Sequence, residues 1–466
     1  MLVDRAPTPP PTTGSPAPSR TATRLLGISL GYFMVLLDMT VLAVAEPDLA
    51  RSLHPSTAGL QWVVTAYTVT FAAALLSAGA GADRFGARRV FTVGVVTFGL
   101  GSLACAGAPN LATLVAMRAV LGVAAAACVP ASLAMIADLY PEPARRARAV
   151  SVWAAVSGAA VAAGPVLGGL LVALGGWRAV FLVNVPVAAL TCLLVRGPAP
   201  APVARSDGRR RTSWSAQLAA TVAFALGTDA VIAFGAGDTL HGACSLAVTA
   251  VAVAGLVLFD RRAEAPLLVH GPGLAPALVT GAAVNATLSG VLFVVPLVLA
   301  HRTGLSALQT GVAFLPMTVP FAVNPLLTGR LVARRGPWPP LLLGVALLGT
   351  GSLALALAVH DDALSGHGGF VVLLTALAAL GFGTSFALPS LVALVIGAAP
   401  SGAAGRAGGL LTAVRQLGAS VGVALAGSFV VDAPAAGIVA LAGLCAGALG
   451  LLVVSRARAG SAQRGA

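Results

Sequence analysis

The sequence predicts an all-α polytopic membrane protein of about 14 transmembrane helices, arranged as two six-helix bundles with an inserted helix pair. Three observations carry this expectation. Of the 466 residues, 58% are hydrophobic and only 9% charged, with a mean hydropathy of +0.94, whereas a soluble domain carries about 25% charged residues. Apolar runs of the roughly 20 residues needed to cross a bilayer recur along nearly the whole chain. The arginines fall in alternate connections between those runs.

Residues 1–23 open with a Pro/Thr/Ser-rich stretch and read as a disordered cytoplasmic tail, without the pattern of a cleaved signal, so the first helix is retained as an anchor. Residues 24–196 form the first bundle, with runs at 24–47, 60–82, 90–108, 110–138, 149–174 and 177–196. The Arg-rich connection 197–213 reads as a cytoplasmic linker, and the runs 214–235 and 241–259 form the inserted pair, 214–259. The second bundle with its preceding loop occupies 260–455, with runs at 274–299, 310–328, 340–359, 370–398, 408–430 and 434–455, and 456–466 is a second cytoplasmic tail. An internal repeat supports the division. GAGADRFG (Gly79 to Gly86) follows the second run, and GRLVARRG (Gly329 to Gly336) follows the tenth, with Gly, Arg and Gly at matching places.

A net charge of +13 would suggest nucleic acid in a soluble chain. Here every basic residue is Arg, and the positions decide otherwise. Arg51, Arg178 and Arg302 lie in odd-numbered connections and Arg118 and Arg415 inside helices; the other 23 of the 28 lie in even-numbered connections or at the ends. Basic residues accumulate on the cytoplasmic side, so both termini are expected inside and the multi-pass chain in the cell membrane. The arginines are topology signals, and the partner is the lipid bilayer, with no nucleic acid. The absence of Lys excludes Schiff-base chemistry and a Walker-type phosphate lysine. No nucleophile and base are paired, no metal-ligand spacing occurs, and the six histidines fall in loops or helix ends, so neither an enzyme nor a metal site is expected.

Four stretches carry a family likeness: LLDMTVLAVAEP (Leu36 to Pro47), GAGADRFGARR (Gly79 to Arg89), Arg118 with Gly122, and GPVLGG (Gly164 to Gly169). WRAVFLVNVP (Trp177 to Pro186) and VRQLGASVG (Val414 to Gly422) fit more loosely. Together they resemble the major facilitator superfamily, in particular its fourteen-helix drug:proton antiporter branch. The pattern departs from that branch at Ala43, usually Asn; at Glu46, usually apolar; and at Leu121, often Gln. The resemblance implies a proton-coupled antiporter exporting a small organic compound such as a drug, antibiotic or natural product by alternating access. Its energy would come from the proton gradient, with no cofactor, and a monomer is expected. It also marks Gly164, Pro165, Gly168 and Gly169 as an antiporter motif. Without the resemblance, an importer or facilitator of a small metabolite, or a non-transporting membrane sensor, stays open.

An ionisable residue in hydrocarbon is a functional candidate because its insertion costs about 2.5 to 3.5 kcal/mol. At 1.5 Å per residue, Asp38 lies roughly 13 Å below Pro47 and Arg118 roughly 12 Å below Asn110, so the two share a depth. They are the candidate proton-coupling pair; the competing reading is a permanent pair that fixes helix packing. Asp38, Tyr67, Arg118 and Asp229 are the candidate cavity residues. Core packing accounts equally well for Tyr67, and a bond to a neighbouring helix for Asp229. Glu46 and Asp48, beside Pro47, read as solvated at the outer mouth. Arg415 and Gln416 either line the inner entrance or snorkel to the interface. Gly79, Asp83, Arg84, Gly86, Arg88 and Asp138 form a candidate cytoplasmic gate: glycines permit the turn, and a carboxylate accepts bonds from Arg or helix N–H groups. Such a latch would hold the outward-open state and break when the inside opens.

Overall fold

The computed structural model describes residues 18–196, 214–262, 273–360, 364, 366–399 and 404–464. The expected linker 197–213 and residues 1–17 of the expected tail lie outside them. In chain order the helices are α1 (Pro18–Leu53), α2 (Thr57–Phe85), α3 (Ala87–Ala106), α4 (Leu111–Leu139), α5 (Pro143–Gly175), α6 (Ala179–Leu182), α7 (Asn184–Val195), α8 (Trp214–Gly235) and α9 (Thr239–Arg261). They continue with α10 (Leu274–Thr303), α11 (Ala307–Ala313), α12 (Leu315–Arg335), α13 (Trp338–Ala358), α14 (His367–Ala398), α15 (Ala404–Gly427) and α16 (Pro434–Arg464). An all-helical chain is what hydrocarbon demands, since a helix satisfies its backbone N–H and C=O groups within itself.

Twelve of these helices are long and apolar enough to cross a membrane, or 13 if the bent pair α11 and α12 is one span. The expected count of 14 is therefore not met by that measure: the run 177–196 gives only the shorter apolar stretch Ala179–Val195, and one other span is bent. Pro186 has no N–H for the Leu182 carbonyl, and the run 177–196 breaks at Val183 into α6 and α7. Pro316 likewise leaves the Val312 carbonyl without its partner, and α11 meets α12 at a 44° bend around Phe314. Pro47, by contrast, does not end its helix. α1 continues to Leu53, so Asp38 lies about 22 Å below the end of the helix and deeper than the sequence-based depth. Residues 18–23 and 456–464, expected as tail, are helical as well; in 456–464 the Ala- and Arg-rich sequence favours helix.

The helices before α8 form one block and those after α9 another, and the same pairings occur in both. α1 packs on α5 and α7, α2 on α4, and α3 on α4 and α7. Correspondingly, α10 packs on α15 and α16, α12 on α14, and α13 on α14 and α16. The repeated loops also match: Gly86 (φ 90°) ends α2 and Gly336 (φ 76°) ends α12, each in a backbone region that glycine enters without strain. α8 and α9 pack on each other, and α8 also touches α2 and α15.

Because successive spanning helices alternate in direction, the described turns at Gly86, residues 140–142 and Gly336 lie at one end of the bundle, here the arginine-rich face, and those at Ser56, Asn110 and Gly304 at the opposite face. Side-chain caps start the helices there: the Ser56 hydroxyl accepts from Gly59 N–H at 3.1 Å, and Asn110 Oδ1 from Thr113 N–H at 2.9 Å. The two blocks meet toward this face. The Gln61 amide donates to the Val423 and Ala424 carbonyls at 3.3 and 2.9 Å, and Thr68 and Ser420 share a hydrogen bond of 2.6 Å. Gly169 and Gly311 let α5 and α11 touch backbone to backbone. On the arginine-rich side, a Cβ at Gly79, Gly81 or Gly329 would meet nothing within 4 Å, and an exposed groove is lined by Leu327, Arg330, Leu331, Arg334 and Arg335.

Within the second block, Gly418 and Gly422 bring α15 against the α10 backbone at Ala282 and Ala286. Overpacking at such a contact costs about 1 to 3 kcal/mol. Gly422→Val is therefore expected to lower the melting temperature of the detergent-solubilised protein by several degrees, whereas Gly443→Val, where a Cβ meets nothing within 4 Å, leaves it near wild type in the same thermal scan.

Candidate functional site

A buried charged cluster lies inside the first block. Asp38 on α1 and Arg118 on α4 are each 1% exposed and form an ion pair between Asp38 Oδ2 and Arg118 Nη1. Asp38 Oδ1 accepts a hydrogen bond from the Asn184 amide of α7 at 3.0 Å, and the same amide lies 3.3 Å from the Ser102 hydroxyl of α3. Arg118 Nε donates to the Val63 carbonyl of α2 at 3.0 Å, and its guanidinium carbon sits 4.5 Å from the centre of the Tyr67 ring. Phe181 closes the other side at 6.0 Å. Each carboxylate oxygen thus accepts a bond, and the cation is held by a carboxylate, a carbonyl and an aromatic face.

The sequence builds this cluster by close approach. Gly122, one helical turn beyond Arg118, faces the α2 backbone at Tyr67, and the Thr70 hydroxyl donates across to the Ala119 carbonyl at 2.9 Å. Tyr67 is fully buried, and its hydroxyl donates to the Val35 carbonyl of α1 at 3.3 Å. It therefore touches Arg118 directly and also packs the core.

Gly164 and Gly168 of α5 face Thr40 and Val41 of α1, two and three residues past Asp38. Pro165 and Gly169 face α11 in the other block, with the Pro165 carbonyl against Gly311 and Gly169 against Ala307. The GPVLGG stretch is thus a contact strip whose two sides touch the helix bearing Asp38 and the opposing block.

Other expected residues stand elsewhere. Asp229 is not brought to the Asp38 cluster: it accepts from the Ser245 hydroxyl at 2.6 Å and bonds His241 at 2.8 Å, tying α8 to α9. A carboxylate in an apolar helix takes the nearest donors, and those belong to its hairpin partner. Glu46 does not sit solvated at the mouth. Because α1 continues past Pro47, Glu46 is 2% exposed and its Oε2 has no hydrogen-bond partner. Asp48 accepts from the Trp177 N–H at 2.8 Å and pairs with Arg51 at 3.2 Å. Arg415 donates to Asn285 of α10 at 3.0 Å instead of snorkelling, and Gln416 is buried. In the candidate gate, Gly79 and Gly86 have open space around them, Arg84 is exposed over the Phe85 ring at 5.2 Å, and Arg88 and Asp138 are half-buried. The Asp83 side chain lies outside the described residues.

Asn184 and Ser102 were not singled out from sequence, although Asn184 lies within the WRAVFLVNVP stretch. A polar amide in an apolar run was the available signal. The stacked pair Tyr32 and Trp153 (4.5 Å, 9° between planes) likewise carried no sequence signal.

Two similarly paired helical blocks, the first with a buried ion pair inside it, define a polytopic membrane protein of transporter architecture. Comparison with known proteins gives the family. The Major Facilitator Superfamily model matches residues 28–423, and the chain belongs to that family. It is 33% identical to the multidrug resistance protein Stp of Mycobacterium tuberculosis over 87% of this chain and 75% of that protein. It is 33% identical to the methylenomycin A resistance protein of Streptomyces coelicolor (87% and 84% covered), and 34% identical to the puromycin resistance protein pur8 of Streptomyces alboniger (88% and 82%). In fold it is similar to a bacterial homologue of the human lysosomal transporter Spinster, in an inward-facing and unoccupied conformation, with a TM-score of 0.64, 17% identity and 95% and 96% of the two chains covered.

Removing one partner of a buried ion pair leaves an uncompensated charge and costs about 3 to 5 kcal/mol, while replacing both is often near neutral. Arg118→Leu alone is expected to lower the thermal stability of the purified protein more than the double variant Asp38→Asn/Arg118→Leu. Equal losses in a thermal unfolding scan would show that the pair contributes no such coupling.

Proposed function

We propose that the protein is a proton-coupled antiporter that exports a small organic compound of the drug, antibiotic or natural-product class across the cell membrane. The observation that carries the reading is the buried Asp38–Arg118 pair, whose Asp38 helix α1 also packs on α10 and α11 of the other block. The names of the relatives, which speak of multidrug, methylenomycin A and puromycin resistance, supply the direction and substrate class.

In this reading a proton reaches Asp38 Oδ2, cancels its charge and leaves Arg118 without a counter-ion. The pair then rearranges, and the shift passes along a continuous packed route. Thr40 and Val41 follow Asp38 on α1, Gly164 and Gly168 receive them on α5, and Pro165 and Gly169 meet α11. Substrate would occupy the space between the blocks, reached from the arginine-rich side, which this reading takes as cytoplasmic with both termini. Asp83 with Arg84, Arg88 and Asp138 would latch that side when it closes. The protein needs no cofactor, draws on the proton gradient and works as a monomer.

We also read the chain as having 14 spans. The 12 long apolar helices, the bent pair α11 and α12, and the shorter apolar stretch Ala179–Val195 that joins α6 and α7 add to that number.

The test is transport in proteoliposomes under an imposed pH gradient, with puromycin, methylenomycin A and ethidium as probes. Wild type is expected to move at least one of them in a gradient-dependent manner, and Asp38→Asn to fall to the level of protein-free liposomes. Gradient-driven transport surviving in Asp38→Asn would refute the coupling role. Asp83→Ala is expected to reduce the same flux at an unchanged protein level in the membrane; normal flux would exclude the latch.

A further inference from the structure

Glu46 is a buried carboxyl that the proposed cycle does not use. It lies eight residues beyond Asp38, about 12 Å further along α1 toward the opposite face. Its neighbours on the chain, Ala45 and Leu49, are fully buried, and the side chain is 2% exposed. Oε2 has no hydrogen-bond partner, and among the described residues no ion pair reaches the group. Asp48, two residues on, shows what satisfaction looks like at this end of the helix, with both a backbone N–H and an arginine.

The charged and titratable groups around it are accounted for. From α4 the nearest cation is Arg118, committed to Asp38, the Val63 carbonyl and the Tyr67 ring. α2 presents Tyr67, whose hydroxyl is bonded to Val35. At the start of α6, Arg178 lies over the Trp177 ring at 4.3 Å and donates to the Ala108 carbonyl. α7 holds Cys192 only toward its Arg196 end, and the end of α10 carries exposed His301 with Arg302, which bonds the Val359 carbonyl. α11 and the Gly164 to Gly175 stretch of α5 hold no acid or base. Among the described residues none of these cations pairs with Glu46. An unpaired carboxylate in a dry interior is strongly disfavoured, so the group fits here only as the neutral acid.

We propose that Glu46 is a proton-binding site, separate from the Asp38–Arg118 pair, that must be loaded from the opposite face before that face can close. The inference rests on the alternating-access reading above. With the face open, a Glu46 carboxylate oxygen takes a proton from hydronium, forming an O–H bond and leaving water. Closure then buries the neutral acid, and reopening returns the proton to water. Closure becomes dependent on the pH of that side, and the open-to-closed ratio rises by up to about tenfold per pH unit above the point at which the exposed Glu46 ionises.

The experiment uses the full chain in lipid vesicles without substrate, with the exposed Cys244 replaced by Ser. Spin labels are placed at Pro109→Cys and Val431→Cys, exposed positions on the opposite face of the two blocks. Their distance distribution is read by electron–electron double resonance from pH 5 to 9. The wild type is expected to gain a long-distance population as pH rises, while Glu46→Gln, a permanently neutral shape mimic, stays closed throughout. Glu46→Leu, which restores the apolar residue usual in the resembled branch, should behave like Glu46→Gln and guards against a folding defect in either variant. A pH response retained in both variants, or absent from the wild type, overturns the proposal. Because no substrate enters the measurement, failure of the exporter reading would appear only in the transport assay.

Discussion

The Asp38–Arg118 ion pair is the constraint around which the first block is organised. A charge in a low-dielectric interior is tolerable only when every face of it is answered, and here the answers come from five helices. α1 and α4 supply the charges, α2 a carbonyl and an aromatic face, α7 an amide, and α3 a hydroxyl behind that amide. Meeting those requirements fixes how five helices sit against one another. The same constraint makes the pair responsive, because neutralising either member removes the reason for the others to hold their positions.

The contacts within each block rely on glycine against backbone, whereas those between blocks share that kind of contact only where α5 meets α11 and otherwise add side-chain bonds. Inside, helices interlock through glycine: Gly122 against α2, Gly164 and Gly168 against α1, and Gly418 and Gly422 against α10. Between blocks, the seam toward the opposite face rests on single side-chain bonds, such as Gln61 to two α15 carbonyls and Thr68 with Ser420, and on the short strip where α5 meets α11. A few hydrogen bonds of about 1 kcal/mol each can be exchanged for others, whereas close-packed backbones cannot slide without opening gaps. Two stiff blocks with a replaceable seam are what a rocking transition requires.

Much of this was readable in the chain. Hydropathy places nearly every span because lipid imposes the same demand on each, and Asp38 and Arg118 stand out because charges are rare at that depth. What was not readable follows from proline and from partners distant in sequence. Pro47 looked like a helix end, yet a long helix absorbs one lost bond, and this hid the burial of Glu46. Pro186 and Pro316 do break or bend their spans, and nothing local distinguishes them from Pro47. Asn184 is 146 residues from Asp38, so only the folded bundle reveals the bond. Asp229 has the composition of a functional acid, but its donors lie 12 and 16 residues away in the next helix, and a hairpin partner is closer than any cavity.

The inserted pair gains a physical meaning from the same contacts. α9 is buried over only 11% of its most apolar stretch and faces outward, while α8 lies against one helix of each block. Near the arginine-rich face the Ser77 hydroxyl of α2 bonds the Gln217 side chain, and at the opposite face Gly235 presses on Ser428 just past α15. α8 is therefore fastened to the first block at one end and abuts the second at the other. If the blocks rock about their seam, one of these contacts must slip or α8 must tilt with the motion. Asp229, bonded to His241 and Ser245, keeps α8 and α9 together as a single body during either movement. Its carboxylate is thus better understood as holding the hairpin that spans the seam than as a site facing the transported compound.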